Sequence, residues 1–380
     1  MKDKKSLFIA TSILIGTIVG AGFLGIPYVV AKSGFLIGIF YLVFLGIIMM
    51  FLNLALGEIS LRTKGDHQLT GYASIYLGKN GRRIMFFSQV FGIYSALLAY
   101  VIGVGNSLNF IFGGSSNYST IFSFAFWSVM SFIVYLRISS IRKWVGVGAL
   151  TAIILILIIS FSRFPEINYN NFNGFELKSF FLPFGVVLFS YLGFSATPEI
   201  ERYLHGKEKL MKKSLIIGTC VPFIIYFLFV TVVVGVYGKN IPELSTFAFG
   251  KLVVILGIVT MSTAYLSISN ALKDVYIFDY YMSRKKAWFL VSIVPTILFV
   301  LLAILRFNSF INVISVGGTI SGGITGILIL LMIRRAKKYG NRKPEYSLRF
   351  TKFILYFVGL IFVLGVIYGV LSSLGLWGLV

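Results

Sequence analysis

Apolar runs long enough to cross a bilayer follow one another almost from end to end of this chain. A helix of about 20 apolar residues matches the thickness of the hydrocarbon core. Eleven such runs can be marked, at roughly 7–31, 35–57, 84–112, 119–136, 144–162, 180–203, 214–237, 251–277, 287–305, 310–333 and 351–378. Hydrophobic residues make up 58% of the chain and charged residues 12%. Soluble domains carry about 25% charged residues, so the chain falls outside that class. The polar connections are short, and the stretch 1–380 reads as a single all-α polytopic membrane domain.

Two of these runs are interrupted. The first holds Gly20-Ala21-Gly22-Phe23-Leu24-Gly25-Ile26-Pro27, and the sixth holds Tyr191-Leu192-Gly193-Phe194-Ser195-Ala196-Thr197-Pro198. Backbone left without helical partners at membrane depth survives only where protein buries it or it lines a watery cavity. Paired breaks at corresponding points of two halves point to a binding site at the bilayer midplane. The glycines also spell the dinucleotide-binding pattern G-x-G-x-x-G. That pattern needs a preceding strand and an acid about 20 residues on. Here an apolar run lies on both sides, and Phe35 to Leu56 carries no acid.

The net charge of +22 is distributed by loop. With a cytosolic N-terminus, 27 of the 34 Lys and Arg fall at inside positions and six at outside ones, with Lys273 within span 8. That asymmetry is the positive-inside rule. It argues for a multi-pass protein of the plasma (cytoplasmic) membrane, N-terminus in the cytosol and C-terminus outside. Its basic loops, such as Arg334 to Lys352, hold topology and touch anionic lipid rather than nucleic acid. The basic start followed by an apolar run resembles a signal peptide, but the run is too long for one and reads as an uncleaved first span. The lone Cys220 excludes an intrachain disulfide, and His67 and His205 fall in predicted cytosolic loops.

Polar groups inside spans tend to mark pathways. In span 8, Thr260, Thr263, Ser267, Asn270 and Asp274 are spaced by three and four residues and share a face. A stripe of neutral oxygens ending in a carboxylate suits a monovalent cation. The alternative is that the hydroxyls bond back to their own helix or join it to a neighbour. Asp274, beside Lys273, is either part of the stripe or an interfacial charge. In span 3, Tyr100 lies mid-membrane with Ala96 and Gly103 a turn away, placed to reach a chamber or to pack in the bundle. The small residues from Ser315 to Thr325 in span 10, and Trp144 to Ala149 opening span 5, suit close helix contact. Spans 4, 5, 7 and 9 are almost purely apolar and read as scaffold. At the first break, half-helix amides from Gly20, Ala21, Gly22 and Phe23 favour a carboxylate. Freed carbonyls of Tyr191, Gly193, Phe194 and Ser195 suit an ammonium. Phe23 and Phe194 add apolar walls, so the chamber fits a zwitterion of amino-acid size.

These residues resemble the amino acid/auxin permease group of the amino acid–polyamine–organocation superfamily, and within it the aromatic amino acid permease branch. Gly20 to Tyr28 with Gly34-Phe35 is similar to the family's first span, and Tyr94 to Tyr100 with Gly103 and Gly105 to its third. Leu182-Pro183 and Phe189 to Phe194 with Pro198 resemble its sixth, and Thr263 to Ser269 with Asp274 its eighth. Two departures stand out: Gly103-Val104-Gly105 replaces a longer glycine run, and His/Asn character is missing after Phe194. The resemblance implies a leucine-transporter-type 5+5 inverted repeat, with repeats at about 7–163 and 180–334 and an additional helix at about 351–378. It implies secondary import of neutral amino acids, aromatic or branched, by symport and alternating access. Partners would be the amino acid, a coupling cation and membrane lipid, with no nucleic acid, obligate protein partner or cofactor beyond that ion.

The ion is Na+ or H+. For Na+, Thr263 and Ser267 with freed carbonyls near Thr17 and Gly20 would complete an oxygen cage; for H+, Asp274 or Glu58 would carry the proton. Span 5 from Val145 to Ser162 lacks the lysine that replaces sodium in some proton-coupled relatives. Two other functions compete: a transporter-like amino acid sensor, which needs a cytosolic effector surface, and a channel, which prefers a symmetric pore lined along several helices. No nucleophile–base pair suggests an enzyme.

Overall fold

A computed structural model describes residues 2–113, 116–136, 141–305, 309–349 and 352–373, with the backbone alone for 2, 116–117, 141–149, 278–279, 352, 370 and 372–373. These residues are helical with short connections. In chain order the helices are α1 (Lys2–Ile18), α2 (Ile26–Ser33), α3 (Phe35–Leu61), α4 (Leu69–Phe112), α5 (Ser116–Leu136), α6 (Ile141–Arg163) and α7 (Leu182–Ser190). There follow α8 (Ala196–Tyr203), α9 (Met211–Tyr237), α10 (Lys251–Asp274), α11 (Arg284–Ile304), α12 (Phe310–Gly317), α13 (Gly323–Tyr339) and α14 (Lys352–Ser373).

Among the described residues, seven helices are long and apolar enough to cross a membrane, and the bent pair α1/α2 makes an eighth. The other predicted spans correspond to α6, the pair α7/α8 and α14, whose described apolar stretches are shorter. Span 3 differs from its predicted extent. Residues 69–83, expected in a cytosolic loop, are helical and run into the span through Gly78, whose φ of 76° lets the chain kink there. Of the small residues that open span 5, the side chains from Trp144 to Ala149 lie outside the described residues.

The two breaks are real interruptions of helical backbone. Between α1 and α2 the axis bends by 48°. A 3₁₀ turn from Gly22 to Gly25 fills the gap, and Pro27 opens α2 where its missing amide costs no helical hydrogen bond. The sixth span stops at Ser190 and resumes at Ala196. Span 10 is regular up to Gly317, then loosens into a π-helical turn at Gly318–Gly322. Glycine there brings α12 and the turn hard against α7 and α4: a Cβ at Gly317 would meet the Ser95 Oγ at 3.0 Å, and one at Gly318 the Phe189 Cβ at 2.7 Å.

The basic end of the bundle is tied across the chain. Glu58, fully buried at the end of α3, accepts from Arg62 Nε at 2.8 Å, Ser347 Oγ at 2.9 Å and the Leu348 amide at 2.7 Å. Arg342 of the same segment pairs with Glu208 at 3.4 Å, and Lys207 pairs with Asp3 of α1 at 3.3 Å. At the opposite end, Phe247 stacks on Phe110 at 4.7 Å and the segment around Asn171 hydrogen-bonds the end of α9.

Candidate functional site

The unwound residues of the first and sixth spans face each other directly. A Cβ on Gly22 would lie 2.8 Å from Ser190 Oγ and 3.1 Å from Ser190 Cα, so only glycine allows this approach. Gly193 plays the reciprocal part. Its hydrogen faces α1, where a Cβ would stand 2.6 Å from Ile18. Each break therefore sits against the end of the other broken helix.

The chain re-enters helix economically on both sides. The Gly20 amide turns back to the Ile18 carbonyl at 2.8 Å, and Leu24 reaches Ala21 at 3.2 Å. In the sixth span Ala196 donates to Gly193 at 3.0 Å and Thr197 to Phe194 at 3.2 Å. Gly20 stands apart from the other break residues. It is partly exposed, and a Cβ there would meet only the Tyr100 hydroxyl, at 3.5 Å, among the described residues. Tyr100 itself is buried, and its hydroxyl reaches the backbone at Ala21. Space for a Cβ thus lies beside Gly20, against one phenol.

The side chains of the breaks do not all turn toward that space. Phe23 is fully buried, stacked on Tyr226 at 6.3 Å and edge-on to Phe229 at 5.5 Å. Tyr191 packs against Tyr226 at 5.6 Å and donates its hydroxyl to the Leu42 carbonyl at 3.3 Å. Both rings form an aromatic wall behind the breaks. Phe194 is buried, whereas Ser195 is exposed.

The polar stripe of α10 lies opposite its packed face, which is formed by Val254, Met261, Tyr265, Ser269 and Leu272. Thr260 is buried, Thr263, Ser267 and Asn270 are half-buried, and Asp274 is exposed. Thr263 donates to the Thr260 carbonyl at 3.0 Å, Thr260 to Leu256 at 3.0 Å, and Asn270 to Leu266 at 2.7 Å. On α1, Thr17 donates to Ile13 at 2.8 Å. The hydroxyls of Thr17, Thr260 and Thr263 bond back to their own helices. A hydroxyl that donates in this way still has lone pairs directed outward, so back-bonding and cation ligation are compatible. Next to Asp274 the buried ionisable group is Lys273, whose ammonium donates to the Val134 carbonyl of α5 at 2.7 Å.

One residue of this region escapes sequence reasoning. Tyr226 sits in α9, a helix whose apolar composition reads as scaffold. Its hydroxyl lies 3.0 Å from the Ile18 carbonyl and 3.2 Å from the Ser190 carbonyl, the last residues of α1 and α7. The only sequence signal is a tyrosine four residues after Pro222 within a span.

Comparison with known proteins follows the same outline. The model of the tryptophan/tyrosine permease family matches residues 3–248. Tyrosine-specific transport system 1 of Haemophilus influenzae is 24% identical over 233 residues, covering 61% of this chain and 58% of the relative. Tyrosine-specific transport system 2 of the same organism is 24% identical over 250 residues, or 62% and 60%. The tryptophan-specific transport protein of Shigella flexneri is 24% identical over 249 residues, or 63% and 58%. The chain thus spans about three fifths of the length of the curated relatives it matches.

Proposed function

This chain belongs to the tryptophan/tyrosine permease family, and from that premise we propose that it is a secondary active transporter importing an aromatic amino acid by cation symport. The observation that carries the reading is the apposition of the two breaks, with Gly22 against Ser190 and room for a Cβ at Gly20 beside the Tyr100 hydroxyl. The substrate carboxylate would take the amides of Ala21 and Gly22 together with the Tyr100 hydroxyl, because half-helix N-termini and a phenol O–H favour an anion. The ammonium would take carbonyls of the Tyr191–Ser195 segment. Phe194 would bound the side chain, with the stacked Phe23 and Tyr226 rings behind the cradle.

The breaks also support the leucine-transporter-type 5+5 repeat, with α1 to α6 forming one half and α7 to α13 the other. In that arrangement α14 is the additional helix, and Thr17, Gly20, Thr263 and Ser267 are the ligands of a co-transported Na+. The electrostatic logic is that of discontinuous helices in membrane transporters generally: half-helix N-termini face the anionic group, and unwound carbonyls face the cations. The basic end, with Arg62, Lys207, Lys337 and Arg342, faces the cytosol. Asp274 and Glu58 are the groups a proton-driven cycle would use instead.

Uptake of labelled tyrosine and tryptophan into proteoliposomes, with Na+ and pH gradients imposed separately, tests the proposal. Accumulation of an aromatic amino acid against its gradient under either driving force is expected. Absence of uptake and of counterflow for every neutral amino acid would refute it.

A further inference from the structure

The two broken helices end at carbonyls that no helical amide of their own span can fully satisfy, since the last turn of a helix always leaves such acceptors. The Ile18 carbonyl, which also accepts from the Gly20 amide at 2.8 Å, and the Ser190 carbonyl share one donor, the Tyr226 hydroxyl, at 3.0 Å and 3.2 Å. The residue is fully buried. It reaches its position on α9, which packs along α1; a Cβ at Gly218 would stand 2.8 Å from Leu14 of α1. Its ring is held between Phe23 of the first break and Tyr191 of the sixth.

We propose that the Tyr226 hydroxyl is a positioning group that joins the end of α1 to the end of α7, so that the two breaks form one cradle before any ligand arrives. A phenol carries one proton, so it donates to one carbonyl or shares the bond between both. Either way the acceptors stay within reach of a single point. Two carbonyl oxygens that would otherwise repel in a dry interior are thereby held side by side. The consequence is pre-organisation: a cradle that is already assembled does not spend ligand affinity on assembly. This inference rests on the substrate site proposed above, but it makes a statement about helix ends that can be read without substrate.

Tyr226→Phe keeps the ring and removes only the donor. In a Cys220→Ser background, spin labels at Ser12 of α1 and Phe181 before α7, both exposed, report the separation of the two half-helices. The expected result is a broadened distance distribution without substrate that narrows on adding tyrosine. In uptake, the apparent affinity should fall roughly tenfold with the maximal rate changed by less than about twofold, the loss of one hydrogen bond acting through the fraction of assembled sites. Para-aminophenylalanine at 226 restores a donor at the ring tip and should restore both readouts. Phe229→Leu, which removes the ring beside Phe23 but keeps the hydroxyl, should leave the distribution narrow. An unbroadened distribution with native affinity in Tyr226→Phe overturns the proposal, as does the same broadening in Phe229→Leu. If the unaltered protein transports no aromatic amino acid, the site proposal fails while the distances still decide whether Tyr226 joins the breaks.

Discussion

Gly20→Ala separates the substrate role of the first break from its structural role. The methyl group would meet the Tyr100 hydroxyl at 3.5 Å, an ordinary contact, and otherwise project into open space. Gly22→Ala is the contrasting case, because its methyl would be forced to 2.8 Å from Ser190 Oγ and 3.1 Å from backbone at Ser190 Cα. Overpacking of that kind costs about 1–3 kcal/mol of stability. Gly20→Ala should therefore unfold at the native temperature, whereas Gly22→Ala should unfold earlier. If a carboxylate occupies the space beside Gly20, the methyl displaces it from one charge-assisted hydrogen bond, worth about 1.5–3 kcal/mol. At about 1.4 kcal/mol per decade, the apparent KM should rise by roughly ten- to a hundredfold. The assay is initial-rate uptake of labelled tyrosine in proteoliposomes, paired with thermal unfolding in detergent. A Gly20→Ala protein of native stability and native KM would refute the placement of the carboxylate.

Other perturbations address the remaining groups. Tyr100→Phe removes the hydroxyl beside Gly20 and should raise the apparent KM roughly tenfold, about the worth of one hydrogen bond to a charged group; a change confined to the maximal rate would place Tyr100 outside the site. Thr263→Ala removes an oxygen from the proposed cation cage, so uptake driven by an inward Na+ gradient at symmetric pH should be lost. Uptake that follows pH alone and is indifferent to Thr263→Ala would assign the coupling to protons. Glu58→Gln leaves Arg62 and Lys337 facing a neutral amide in a buried site and should cost about 3 kcal/mol of stability, seen as a lowered unfolding temperature.

The breaks were legible because glycine and proline inside a long apolar run interrupt the helical ladder, and membrane depth tolerates that only in a covered or cavity-lining segment. Their residues also carry the pairing, since Gly22 and Gly193 are positions where the other span comes too close for a side chain. The directions of Phe23 and Tyr191 were not legible. Side-chain direction follows from helical periodicity, and an unwound segment has none, so both rings could turn from the chamber into the cluster around Tyr226. Tyr226 itself was hidden by chemistry that leaves no pattern: one hydroxyl serving two carbonyls of distant segments is a tertiary fact. The stripe on α10 was readable as a face but not as a role, because back-bonded hydroxyls present the same spacing whether or not a cation uses them. Residues 69–83 fall between the marked apolar runs and so read as loop, yet they are helical and continue through Gly78 into the span.

The most direct test of the central claim uses the open space at Gly20. In a Cys220→Ser background, Gly20→Cys places a thiol at the first break, where labelling by a small methanethiosulfonate reagent can be timed. If the breaks hold an aromatic amino acid, saturating tyrosine or tryptophan should slow labelling by roughly tenfold or more, as expected for a thiol covered in most molecules, while arginine should have no effect. Labelling that proceeds at the same rate with and without aromatic amino acid, in a protein that still transports it, would contradict the account and move the substrate elsewhere in the bundle.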